Sequence, residues 1–411
     1  MRAARSPLLA AAVVLAVAAI PSPARAQKAV GPPSIDAPQA ILVEPFTGEV
    51  LLAHHSRESR PVASTTKLMT ALLVLERTSP DDVFTASAYR PVSSAETRVG
   101  LRPGERMRVR DLLRALLLAS ANDAAHTLAQ RTAGSTGEFV ALMNRRAREL
   151  GLTDTHYSNP IGLDDPGNYS SARDLARLTA RLLQIPFFAH TVGLEHARLA
   201  SGRRPRVIDN RNDLVGAHRY VNGVKTGHTL GAGYVLVGSA SRRGVAVVSA
   251  VLGEPGEAAR DADTLTLLDY GLSVLRAQRI LSPSRPVGRV AVRHRESQRV
   301  TLVPAGSVTW VMRRGQHANV SVRAPRVLEG PLPAGTRSGT AIVRVGRRVV
   351  ARMPLMTAAP VPGVGPLERA ADALLKPDTL ALVAAAAAGL VLAAALHRRR
   401  SRAGAGEAGS A

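Results

Sequence analysis

The chain has 411 residues and carries 54 lysines and arginines against 31 acidic residues, a formal net charge of +23, in a length suited to one large and one small domain. Aromatics make up only 3%, too few for the stacking platforms of single-strand binders, so the charge points to anionic wall polymers or membrane lipids rather than to nucleic acid. Cysteine is absent, which excludes disulfides and thiolate chemistry, and no zinc spacing such as His-Glu-x-x-His occurs, so neither metal nor cofactor is expected.

In chain order, residues 1–26 read as a secretory signal: Arg2 and Arg5 precede an apolar run from Leu8 to Ile20, and Ala24-Arg25-Ala26 forms a small-x-small cleavage site. Ala40 to Val43 and Glu49 to Ala53 read as strands joined at Pro45-Phe46-Thr47-Gly48, a hairpin signature. His54-His55, adjacent on a strand, would point to opposite faces and make a poor ligand pair. A helix follows from near Ser64, with Leu68, Leu72 and Leu75 on one face.

Val109, Leu112, Leu113, Leu116 and Leu117 predict another helix that stops at the polar Ser120-Ala121-Asn122-Asp123, before a third helix that ends near Gly134. Helices are also expected over Gly137–Glu149 and over Ala172–Gln184. Ser171 would cap the latter and Pro186 end it. Between them lies a turn-rich loop from Tyr157 to Tyr169, in which Asp164-Asp165 cap or turn. Strands are predicted at Val221–Thr226, Tyr234–Ala240 and Val245–Leu252, and a helix from Asp261 to about Leu275. Strands at both ends of a helical middle indicate an α+β domain, with one antiparallel sheet assembled from its first and last parts.

This domain is placed at 27–280 and followed by a small β-rich domain at 285–357, where short strand signals alternate with turns and only Glu296 and Glu329 oppose many arginines. A Pro-rich linker (358–378) leads to Thr379–Leu396, which contains no charged residue and reaches roughly 27 Å as a helix, enough for a bilayer. Arg398, Arg399, Arg400 and Arg402 then mark a basic tail, 397–411, on the cytoplasmic side, which leaves the body of the chain exported and tethered to the membrane.

The chemistry gathers in three short motifs. Only Lys28, Lys67, Lys225 and Lys376 are lysine, and lysine, unlike arginine, can give up its proton in a protein. Ser64 and Lys67, three apart at a helix start, place an amine beside a hydroxyl. Ser120-x-Asn122 and Lys225-Thr226-Gly227 follow in order. A His-based triad lacks its elbow, because no Gly-x-Ser-x-Gly occurs.

The order Ser-x-x-Lys, Ser-x-Asn, Lys-Thr-Gly matches the signature of penicillin-binding proteins and serine β-lactamases. With the flanks Arg102-Pro103-Gly104, Ser171-Ala172-Arg173-Asp174-Leu175 and Ala232-Gly233-Tyr234, it resembles the DacA-like D-alanyl-D-alanine carboxypeptidases, low-molecular-mass penicillin-binding proteins, over roughly residues 35–275. Pro331-Leu332-Pro333-Ala334-Gly335 extends the resemblance more weakly into the β domain.

The resemblance implies a transpeptidase-type fold, an antiparallel sheet with a helical subdomain, and an exported enzyme that trims the terminal D-alanine from peptidoglycan stem peptides through an acyl-enzyme. It also implies acylation by β-lactams. Ser64 would be the nucleophile, with Lys67 as its base, kept neutral by burial or by Lys225. Ser120 would relay a proton to the leaving amine, and Asn122 would orient substrate or lysine. Lys225 and Thr226 would face the terminal carboxylate, Gly227 would let the strand approach the ligand, and Arg211 resembles a family arginine that binds that carboxylate. The N–H groups of Ser64 and His228 would form the oxyanion hole. Ala121 departs from the glycine common at that position, and the apolar C-terminal span departs from the amphipathic surface helix of many relatives. A D,D-endopeptidase using the same residues is the nearest alternative, followed by a β-lactamase and by a wall-binding protein without turnover.

Overall fold

Two short strands open the fold. The computed structural model describes residues 31–94, 96–293, 295–366 and 377–404, so the signal expected at 1–26 lies outside the described residues. β1 (Gln39–Glu44) and β2 (Glu49–His54) pair as an antiparallel hairpin, and Gly48 in its turn takes φ 74, where a Cβ would be strained. His55 lies beyond the strand at φ 44. Its ring therefore does not oppose that of His54 but meets it edge-on, with centroids 4.5 Å apart.

α1 (Lys67–Arg77) follows a 3₁₀ turn at Ala63–Thr66 and is buried from Lys67 to Val74. Around it pack α2 (Val109–Leu117), α3 (Asn122–Ala133), α4 (Thr136–Glu149) and α5 (Ala172–Leu182). Ser171 caps α5 as expected, its hydroxyl accepting from Asp174 N at 3.2 Å. Two small hairpins and two short helices were not anticipated: β3 (Val83–Thr85) with β4 (Arg106–Arg108), β5 (His196–Leu199) with β6 (Arg206–Asp209), α6 (Pro186–Val192) and the single turn α7 (Leu214–Ala217). Pro186 starts α6 rather than only ending α5, because in the first turn of a helix its missing N–H has no partner to lose.

β7 (Val221–Thr229), β8 (Gly233–Arg242) and β9 (Val245–Glu254) complete an antiparallel sheet in the order β2-β1-β9-β8-β7. The first and last parts of the domain meet where Ile41 pairs with Ala250, the α+β arrangement expected. Alternation along β8 divides two cores: Val235 and Val237 join the helical layer, whereas Leu236 and Ala240 face α8 (Glu257–Val274) on the other side. β7 is an edge strand, and the 3₁₀ turn before α1 lies beside it.

From Leu275 the chain enters a second, β-rich domain without a break. β10 (Leu275–Leu281) pairs with β13 (Val308–Arg313) and bridges the two cores, with Leu275 packed in the one under α8 and Leu281 in that of the β domain. β11 (Gly288–Val292), β12 (Arg295–Pro304), β14 (Ala318–Arg323), β15 (Val327–Leu328), β16 (Arg337–Val345) and β17 (Arg348–Thr357) form a sheet around a core that includes Val290, Leu302 and Leu355. Arg313 donates to Glu49 Oε1 at 2.6 Å and Arg348 to Thr47 O at 2.7 Å, which fastens this domain to the β1–β2 hairpin. Val361 pairs with Leu332 and is buried, so the first part of the expected linker packs on the β domain. The apolar C-terminal segment is a helix, α9 (Pro377–Gly404).

Candidate active site

Ser64 sits in the 3₁₀ turn and Lys67 is the first residue of α1, a three-residue spacing that turns both side chains to one face. Lys67 Nζ lies 2.8 Å from Ser64 Oγ and donates to Ile161 O at 2.6 Å. An amine with a hydrogen committed to that carbonyl can turn its lone pair toward the serine hydroxyl. Lys67 is fully buried. Burial first, and the charge of Lys225 second, hold its pKa well below the usual lysine range, while Glu96 pulls the other way.

The turn itself is clamped. Ala63 takes φ 47 and Ser120 takes φ 60, left-handed conformations that cost a non-glycine residue on the order of 1–2 kcal/mol and persist only under constraint. Gly162, at φ 93, presses against Ala63 O with no room for a side chain. A Cβ on Gly227 would lie 3.0 Å from Ser64 N and 3.2 Å from Val62 O. The absence of a side chain at Gly227 thus lets β7 lie directly against the backbone of Ser64.

The 157–169 loop supplies the other half of the clamp. Asn159 Oδ1 accepts from the N–H groups of Ile161, Gly162 and Leu163 at 3.2, 2.7 and 3.1 Å, and Thr70 donates to Pro160 O at 2.7 Å. These bonds aim Ile161 O at Lys67. Asp164 accepts from Thr229 Oγ1 at 2.6 Å and from Gly231 N at 3.0 Å, tying the loop to the β7–β8 turn, and Asp165 accepts from Gly167 N at 2.8 Å within its own turn.

Ser120 and Asn122 occupy the α2–α3 junction, both buried. Neither caps α3, whose N-cap is Ala121. None of the described residues hydrogen-bonds the Ser120 hydroxyl. Asn122 donates through Nδ2 to Glu96 Oε2 at 2.8 Å and through its backbone N to Thr97 O at 2.8 Å. Tyr89 also donates to Glu96 Oε2, and Val92 N and Ser93 N reach Oε1 at 2.7 and 3.3 Å. Burial raises the Glu96 pKa, but these donors outweigh it and hold the carboxylate below its usual range. The sequence did not single out Ile161, Tyr89 or Glu96: a backbone carbonyl has no residue signature, and Glu96 lies in a polar stretch where any carboxylate reads as solvated.

Lys225 and Thr226 come in on β7. Lys225 is buried and donates to Thr226 O at 2.9 Å. Burial, then the charges of Arg211 and Arg260, bring its pKa down to about 7. His228 is exposed and stacks on Tyr234, with ring centroids 4.1 Å apart. Arg211 is exposed at the margin and lines a cleft of about 580 Å³ together with Thr97, Arg98, Ala119 and Arg204. The fold thus gathers Ser64, Lys67, Asn122 and Lys225 at the meeting of α1, the α2–α3 junction and β7, with Arg211 beside them.

Residues 26–256 match the family of D-alanyl-D-alanine carboxypeptidases. Similar proteins include the D-alanyl-D-alanine carboxypeptidase DacF of Bacillus subtilis, 30% identical over 78% of this chain and 84% of that protein. DacD of Salmonella typhimurium, also a D-alanyl-D-alanine carboxypeptidase, is 32% identical over 85% of this chain and 94% of that one. The crystal structure of penicillin-binding protein 5 from Haemophilus influenzae superposes with a TM-score of 0.61 at 27% identity, covering 82% of this chain and 100% of that one.

Proposed function

The chain belongs to the family of D-alanyl-D-alanine carboxypeptidases, the serine penicillin-binding enzymes of peptidoglycan metabolism, and on that premise we propose how its residues divide the reaction. Ser64 Oγ attacks the carbonyl carbon between two D-alanines and passes its proton to the neutral Lys67 amine. The oxyanion is received by the N–H groups of Ser64 and His228. The unpartnered Ser120 hydroxyl relays a proton to the leaving nitrogen, and free D-alanine departs. Water then hydrolyses the ester and returns Ser64. Lys225, Thr226 and Arg211 hold the terminal carboxylate of the stem peptide, a planar anion suited to a guanidinium. Asn122 orients the substrate amide.

The observation that carries this reading is the 2.8 Å contact between Ser64 Oγ and a buried lysine amine. Intact-mass measurement after β-lactam exposure tests it. The wild type gains one covalent adduct and Ser64→Ala gains none. Lys67→Arg keeps the charge but loses the base, and acylation falls by at least about a thousandfold if the lysine acts as base and not as counter-charge; a Lys67→Arg variant that acylates at the wild-type rate refutes the role.

A second reading, D,D-endopeptidase, is favoured by the cleft that Arg211 lines. It also takes in Thr97 and Ala119, next to the Ser120–Asn122 junction, and about 580 Å³ is far more than one alanine fills. Product analysis on cross-linked muropeptide dimers separates the two activities. We further propose that α9 crosses the membrane with its arginine-rich end in the cytoplasm and the two folded domains outside.

A further inference from the structure

Asn122 is held by a residue that the reaction scheme above does not use. Glu96 Oε2 accepts from Asn122 Nδ2 at 2.8 Å and from the Tyr89 hydroxyl, and its other oxygen takes two backbone N–H groups. An ionised carboxylate only accepts, so it settles which end of the asparagine amide faces it. Nδ2 must point to Glu96, and Oδ1 is left on the other branch as an acceptor for a donor in the cleft, either the Lys67 amine or a substrate N–H.

We propose that Glu96 is a positioning residue for the carboxypeptidase reaction, fixing the orientation of Asn122 and countering the positive charge that Lys225 exerts on the Ser64–Lys67 pair. The proposal rests on the reading of Ser64 and Lys67 given above. Lys67 senses Glu96 in the direction opposite to Lys225. The other ionisable groups around this network are Tyr89, whose pKa burial first and the Glu96 carboxylate second push up, Asp123, whose charge acts on Tyr89, and His126, whose ring lies 5.4 Å from that of Tyr89 and whose pKa burial lowers. Asp123 is itself engaged by the N–H groups of Val99 and Leu101 at 3.2 and 2.9 Å.

Two substitutions separate charge from placement. Glu96→Gln keeps the shape but removes the charge; with its oxygen held by the Val92 and Ser93 N–H groups, its Nε2 faces Asn122 and favours the amide turned over, Oδ1 toward position 96. Without the negative charge Lys67 binds its proton less tightly, so the acid limb of the β-lactam acylation profile moves to lower pH, while the rate at neutral pH falls about tenfold. Glu96→Asp keeps the charge but shortens the reach; the acid limb stays near its wild-type position and the rate falls. In an Asn122→Ala background, Glu96→Gln costs much less than in the wild type, because the two act as one unit.

The proposal is overturned if the acid limb of Glu96→Gln stays in place, or if the two losses add. Thermal unfolding of each variant accompanies the kinetics, since a merely structural role would lower stability without moving the limb. Failure of the wild type to acylate would instead remove the reading of Ser64 and Lys67 on which the proposal stands.

Discussion

At the level of single residues, the site depends on two buried lysines whose pKa values burial lowers first and neighbouring cations second. Lys67 is pushed far down and serves, in the proposed scheme, as a neutral base. Lys225 falls to about 7, so near neutral pH it divides between a charged form that attracts a carboxylate and a neutral form that does not. The sign follows from the proposed role. Below about 7 Lys225 is protonated and binds the stem-peptide carboxylate, and as pH rises through its pKa the second-order rate of acylation declines. Of its causes, burial comes first and Arg211 second. Arg211→Ala therefore has two expected effects: weaker substrate binding, and an alkaline limb displaced to higher pH because a repelling charge has gone. A pH series of acylation rates for the two proteins checks both, and a limb that moves down would remove Lys225 as the titrating group. Ser64 and Lys67 were legible in the sequence because helix geometry converts a spacing of three into a contact. The third partner of that pair, Ile161 O, was not, since any residue supplies a carbonyl.

Among the elements, the decisive contact is between β7 and the 3₁₀ turn before α1. Gly227 permits it from the strand, and Gly162 permits a matching approach of the 157–169 loop, so that both press on Ala63-Ser64. Gly227→Ala would drive its methyl against backbone atoms, Ser64 N and Val62 O, which cannot swing aside as a side chain can. Overpacking of this kind costs about 1–3 kcal/mol, so the variant should unfold earlier and, with Ser64 displaced, acylate more slowly. Gly31→Ala, exposed and with nothing within 4 Å, is the control and should stay within about 0.5 kcal/mol of the wild type in denaturant unfolding. Equal stability and equal acylation in the Gly227 variant would mean the turn is looser than its contacts indicate. The strands of this sheet could be read in advance because β1, β8 and β9 are runs of β-branched and small apolar residues. The hairpins β3–β4 and β5–β6 were hidden. Arg106-Met107-Arg108 and His196-Ala197-Arg198-Leu199 are too short and too charged to show a period. α6 was hidden by Pro186, which carries the same letter whether it ends one helix or opens the next.

For the whole molecule, the open question is what covers α9. Leu380 to Arg398 has a mean hydropathy of 2.2 and none of it is buried by the rest of the chain. Its apolar residues do not form a stripe: Leu390, Val391 and Leu392 are consecutive, so they point around the helix, and all three are more than 60% exposed. A helix lying on a membrane surface needs one polar face along its length, whereas a helix that is apolar all round needs lipid on every side. Nineteen residues rise about 28 Å, close to the thickness of a bilayer's hydrocarbon core. The net charge of +23 complicates a simple fractionation, because electrostatic attraction to anionic lipid alone would bring a soluble form to the membrane at low salt. Alkaline carbonate and high salt together remove that contribution but leave a spanning helix in place. The full chain is therefore expected to stay in the membrane pellet under both treatments. A chain ending at Pro366 should bind anionic vesicles at low salt, leave them at high salt, and still be acylated by β-lactam, since no residue of the candidate site lies beyond β7. Release of the full chain by carbonate would mean that α9 lies on the membrane and does not cross it.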